Sequence, residues 1–125
     1  MKHIGVEIED LAPGRCVLTA LYKSEIAQQH GFFHGGLVGA LVDNAGAYAA
    51  FTLIEHDQSM LTVEYKVNLI APADGSRIRS VGEVCRAGRT LTTCQVNVFV
   101  LSQEKSVHCA VGLVTMMLLR GRGDH

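Results

Sequence analysis

The sequence predicts an α+β fold in which a curved antiparallel sheet wraps around one long central helix. Three observations predict it. A proline-free, largely apolar segment runs from residue 35 to 54. Two strand-like runs precede it and four follow. The links between successive strand runs are short and rich in turn residues, and such hairpins build antiparallel sheets. At 125 residues the chain is read as one domain spanning 1–125.

Each element has its own signal. Residues 4–10, "IGVEIED", alternate apolar and polar, as in a half-buried strand. "APG" at 12–14 turns the chain, since Pro13 fixes φ and Gly14 is permissive. "RCVLTALY" at 15–22 returns as the second strand of a hairpin. Ser24 can cap a single helical turn that ends near Gln29. Gly35 and Gly36 then open the long helix, whose Gly39, Ala40, Ala45, Gly46, Ala47, Ala49 and Ala50 are small. Glycine costs up to ~1 kcal/mol against alanine inside a helix, so this pattern predicts close packing on more than one side. "EHDQS" at 55–59 ends it.

The four later strands are 60–72, 76–86, 90–101 and 105–118, with turns at "ADG", "AGR" and "SQE". In the first of them strict alternation puts Val63, Tyr65, Val67 and Leu69 on one face. Thr62, Glu64, Lys66 and Asn68 take the other. Gly88 in the "AGR" turn is read as the residue free to take positive φ, and the tail from Arg120 onward as frayed.

Composition narrows the function. Net charge is −1 and no basic stripe occurs, so a nucleic-acid partner is not expected. Asp43, Asn44 and the glycines argue against a membrane span at 35–54, and "MKHIGVEIED" lacks an apolar signal core, so the cytoplasm is the expected location. Charged residues make up 18%, below the ~25% of ordinary soluble domains. That shortfall suggests apolar surface hidden in a subunit interface. Cys16, Cys85, Cys94 and Cys109 show no CxxC pair and lie in strand-like runs, so they read as reduced strand cysteines rather than metal ligands.

Three stretches carry a family resemblance: "HGGLVGALVDNAGAYAA" at 34–50, "TVEYKVNLIAPA" at 62–73 and "RAGRTLTTCQVNVF" at 86–99. In this order and spacing the chain resembles the hotdog-fold acyl-CoA thioesterases of the PaaI type. The resemblance implies hydrolysis of acyl-CoA thioesters at a site between subunits of a homodimer or a dimer of dimers. It implies no metal and no cofactor, coenzyme A being part of the substrate. It implies that Gly35 offers its backbone N–H to the thioester carbonyl. Asp43 of the other chain acts as general base or nucleophile, and Thr62 helps hold the attacking water. Gln28 falls where the family often carries an asparagine that contacts thioester or water, so the longer amide is a departure.

Elementary chemistry fits these assignments. First-turn N–H groups lack intrahelical acceptors, and the helix dipole adds partial positive charge there, so Gly35, with Gly36 beside it, suits a developing oxyanion. Asp43 lies eight residues on, about 12 Å along the axis. One chain cannot bring both groups to one carbonyl, whereas two antiparallel helices can. His34 can hydrogen-bond the loop or substrate, or simply order the turn; His30 reads as a loop residue. Arg86, Gly88 and Arg89 form a basic turn suited to the CoA phosphates, because the guanidinium fork pairs with phosphate oxygens. Phe32, Phe33, Tyr48 and Met60 are candidate acyl-pocket or core residues. Two other readings stand beside hydrolysis: a non-catalytic acyl-CoA binding module, and a hotdog dehydratase or hydratase acting on the acyl chain.

Overall fold

A computed structural model describes residues 5–21, 35–103 and 105–120. The expected turn at 24–29 and the expected roles of Gln28, His30, Phe32, Phe33 and His34 lie outside the described residues. The elements are β1 (Val6–Ala12), β2 (Arg15–Leu21), α1 (Gly35–Phe51), β3 (Gln58–Leu69), β4 (Arg77–Ala87), β5 (Leu91–Ser102) and β6 (Lys105–Arg120). One six-stranded sheet has the order β1-β2-β4-β5-β6-β3, antiparallel throughout. This is the hotdog architecture expected from the sequence. No helix among the described residues is long and apolar enough to cross a membrane.

The helix lies on one face of the sheet and packs more extensively on β4, β5, β6 and β2 than on β3. Leu41, Val42, Ala45, Ala49 and Ala50 meet Ile78, Val96, Val98 and Val114 in a core with essentially no solvent contact. The small residues let the helix sit very low. A Cβ on Gly82 would stand 2.6 Å from the Ala45 carbonyl oxygen, and one on Gly112 would stand 2.5 Å from a Val42 methyl. Two side chains of the sheet also tie the helix down. Ser80 Oγ donates to the Leu41 carbonyl at 3.0 Å, and the Cys94 thiol donates to the Gly46 carbonyl at 3.3 Å. A buried hydroxyl or thiol must find such a partner, so these bonds also fix the helix against sliding.

The helix end is tied to the β1–β2 turn. Thr52 Oγ1 donates to the Ala49 carbonyl and accepts the Gly14 N–H at 2.7 Å. Gly14 has φ +76°, as the Pro13-Gly14 turn requires.

Two turn expectations need correction. Gly88 does not have positive φ; its N–H donates to the Leu91 carbonyl, and a Cβ there would stand 2.9 Å from that same oxygen. It is glycine for want of space rather than for a left-handed backbone. Arg120 is not frayed: β6 runs two residues past the expected end and pairs Arg120 with Gln58.

Candidate active site

The strict alternation expected along β3 fails at one residue. The register jumps from Thr62↔Met116 to Glu64↔Thr115, so Val63 is the extra residue of a β-bulge. The bulge swings Thr62 onto the helix-facing side with Tyr65, Val67 and Leu69, while Glu64, Lys66 and Asn68 take the outer face. Thr62 belongs with Tyr65 on that face, not with Glu64 as alternation predicts. The consequence is chemical. Thr62 Oγ1 donates to Asp43 Oδ1 at 3.3 Å.

Asp43 is half-buried near the middle of α1. Thr62 is its hydrogen-bond partner among the described residues, through Oδ1, which leaves Oδ2 available to a water or substrate. Its neighbour Asn44 is occupied within the helix, its amide donating to the Ala40 carbonyl at 2.8 Å. Asp43 is thus the carboxylate presented on the least covered side of the helix.

Gly35 is the first residue of α1, and a Cβ there would lie 3.6 Å from a Leu69 methyl, ordinary contact. Gly36 is exposed on the same turn. Gly35 and Asp43 both lie in α1, separated by about 12 Å of helix rise, so one chain does not bring them together. Between them the helix-facing side of β3 is only partly covered: Tyr65 is 49% and Leu69 61% exposed. Met60 is half-buried against the core, and Tyr48 is exposed on the helix.

The hairpin between β4 and β5 holds the expected basic group, with two changes. Arg86 is in β4 rather than in the turn, paired with Thr93 just past a bulge at Cys85. A third arginine joins it. Arg120 Nη2 donates to the Arg89 carbonyl at 2.7 Å, and the Leu118 N–H donates to the Thr90 carbonyl. The sequence did not place Arg120 beside this hairpin, because its position depends on how far β6 extends and on what β6 pairs with.

The thiols are poor nucleophiles where they are buried. Burial, then Asp10, pushes Cys16 up to about 11; burial, then Cys85, pushes Cys94 up to about 11; burial also raises Cys109. Cys85 alone among them is exposed.

The thioesterase superfamily model matches residues 30–107. The chain belongs to the thioesterase superfamily. Among solved structures of the superfamily, a thioesterase family protein from Silicibacter pomeroyi superposes with a TM-score of 0.93 at 40% identity, over 97% of this chain and 89% of that one. The phenylacetic acid degradation protein PaaI from Thermus thermophilus shares the fold, with a TM-score of 0.79 at 24% identity over 94% of this chain and 96% of that one. A 1,4-dihydroxy-2-naphthoyl-CoA hydrolase of Escherichia coli is 23% identical over 116 residues, 93% of this chain and 83% of that one.

Proposed function

We propose that this thioesterase-superfamily chain hydrolyses acyl-CoA thioesters to a free acid and CoA, at a site built from two copies of the chain. The observation that carries the reading is the Thr62–Asp43 pair, a hydroxyl and a carboxylate at 3.3 Å on the open side of the central helix. Asp43 Oδ2 takes a proton from water while Thr62 holds the opposite oxygen and orients the carboxylate. The hydroxide equivalent attacks the thioester carbonyl. Negative charge gathers on the carbonyl oxygen and is received by the Gly35 N–H at the helix start of the other copy. Collapse of the tetrahedral adduct expels the CoA thiolate, a good leaving group, which takes up the proton held by Asp43 and restores the carboxylate. Direct attack by Asp43 on the carbonyl is the other route to the same products.

Two features support the sharing of the site. The helix rise separates Gly35 from Asp43 within one chain. Strand β3 is an edge of the sheet, and it exposes Leu61, Val63, Tyr65 and Leu69. Unpaired edges with apolar side chains are surfaces that proteins cover, and pairing two copies about a two-fold axis covers both at once. The same pairing runs the two helices past each other in opposite directions. The single-domain reading of residues 1–125 belongs to this proposal.

The test is thiol release from a panel of aromatic and straight-chain acyl-CoAs. Wild type should release thiol from at least one of them. Asp43→Asn keeps an acceptor for Thr62 and should lose about 10²–10⁴ in rate while remaining folded. Binding of CoA esters with no thiol release from any of them would replace hydrolysis by a binding function. An altered acyl chain with the thioester intact would indicate dehydratase or hydratase chemistry.

A further inference from the structure

The two edges of the sheet differ in charge. Edge strand β1 reads "VEIEDLA", with Glu7, Glu9 and Asp10 and no Lys or Arg. Two of those acids are already used within the sheet, Glu9 by Arg79 at 3.1 Å and Asp10 by Arg15 at 3.4 Å. Edge strand β3 carries both signs on its outer face, Glu64 and Lys66, two residues apart. Both are exposed, and neither enters an ion pair among the described residues. A second β1 laid on β1 would bring acids to acids, whereas β3 can be complementary to itself.

Two copies of β3 paired antiparallel about a two-fold axis have one residue that faces its own copy across the axis. Directly opposite residues share a face of the sheet, so that one residue sets every other pair. Were it Glu64, glutamate would face glutamate. Were it Lys66, lysine would face lysine. With Tyr65 at the axis, Glu64 of each copy faces Lys66 of the other, and the ion pair forms twice. On the helix side the two half-exposed Tyr65 rings then meet, a favourable cross-strand pair.

The same register serves the site. Thr62 and the bulged Val63 together count as one position opposite the partner strand. Counted outward from Tyr65, Leu69 of one copy then stands opposite Met60 of the other, one same-face step from Thr62. Leu69 is the residue beside Gly35, whose Cβ position lies 3.6 Å from its methyl. Thr62 is the residue bonded to Asp43, at 3.3 Å. Tyr65 at the axis therefore lays the helix start of one copy next to the acid of the other.

We propose that Glu64 and Lys66 are positioning residues that select this register, with Tyr65 on the two-fold axis, when a second copy of the chain pairs along β3. This alignment rests on the two-copy site proposed above and fixes the register left open there. Neither charge touches the substrate. Each acts by holding Gly35 of one copy against Asp43 of the other.

The experiment has two arms, both on the full chain. In the first, Tyr65→Cys and Lys66→Cys are oxidised separately, each with the exposed Cys85 changed to serine. Directly opposite Cα atoms stand about 4.5–5.5 Å apart, within disulfide reach, whereas a residue two positions out of register with its own copy lies beyond ~7 Å. Tyr65→Cys should give a disulfide-linked dimer by intact mass, and Lys66→Cys should not. Linkage of Lys66→Cys instead, or of neither, would overturn the register. In the second arm, Glu64→Lys and Lys66→Glu should each raise the dimer dissociation constant about tenfold in sedimentation. The double variant exchanges the charges and should recover most of the loss, and added salt should narrow the differences. Thiol release should fall and return in step with the dimer. A double variant no better than the single ones would contradict the Glu64–Lys66 pairing, and this arm leaves Tyr65 in place should Tyr65→Cys fail to fold. The two proposals fail separately. A Tyr65→Cys link and charge-swap rescue in a protein that cleaves no thioester keep the register and remove the hydrolase. Hydrolysis by a chain that links through Lys66→Cys keeps the shared site and removes the register.

Discussion

The two flanks of the central helix obey different rules. Toward β4, β5 and β6 the contact is dry, low and tied by hydrogen bonds. Leu41, Val42, Ala45 and Ala49 are fully buried, Gly82 admits the Ala45 backbone, and Ser80 and Cys94 hold helix carbonyls. Toward β3 the contact is thin. Asp43 is half-buried, Tyr65 and Leu69 are about half exposed or more, and a bulge interrupts the strand. The first flank holds the helix in place, and the second leaves a carboxylate and a helix start accessible. An acid in an apolar helix is tolerable because it stands on the side that the sheet does not seal. Rigidity on one flank is what makes precise placement on the other possible.

The contrast can be broken from either side. The largest expected effect is on chemistry: the loss of about 10²–10⁴ in rate in Asp43→Asn should come with an unchanged melting temperature, because no packed contact is removed. The converse change is Gly82→Ala on the dry flank. Its Cβ would meet backbone rather than a flexible side chain, so it should cost about 3 kcal/mol, measured by urea unfolding, the upper end of ordinary overpacking. A smaller effect is expected where the flanks meet. Thr62→Ala should lower kcat about tenfold, and Thr62→Ser, which keeps the hydroxyl on Asp43, should recover most of it.

A further effect concerns pH. The buried Cys16 and Cys94 thiols hold their protons to about 11, against an ordinary value of 9.0. Across that window the folded state binds more protons than the unfolded state. Stability is therefore fully present below about pH 9 and falls as pH rises toward 11. Cys94→Ser keeps a donor for the Gly46 carbonyl without the titration. It should make the fall between pH 9 and 11 shallower, as followed by thermal melts.

Much of the fold was legible because its signals are local. Alternating runs, the Pro13-Gly14 turn and the small-residue helix each announce themselves within a few residues, and the six strands and the helix fall close to where those signals put them. What stayed hidden depends on pairing. A β-bulge has no composition of its own. Val63 looks like any strand valine, yet it decides that Thr62 faces Asp43 instead of solvent. Gly88 was legible as a turn glycine, but its reason, the Leu91 carbonyl across the hairpin, lies outside the turn's own sequence. Arg120 was hidden for the same cause, since a strand's last residue is set by what it pairs with. Of the site, the separation of Asp43 from Gly35 was legible from the rise of a helix, and the orientation of the Thr62 hydroxyl was not.

The central claim is that a working site takes Gly35 from one copy and Asp43 from another. Gly35→Pro removes the first-turn N–H while proline remains acceptable at the start of a helix. Asp43→Asn removes the acid. Each variant alone should be inactive. Unfolded together and refolded as a mixture, they should regain about a quarter of wild-type activity, because half the dimers are mixed and each mixed dimer has one intact site. A mixture as inactive as its components, with mixed dimers shown to have formed, would contradict the shared site.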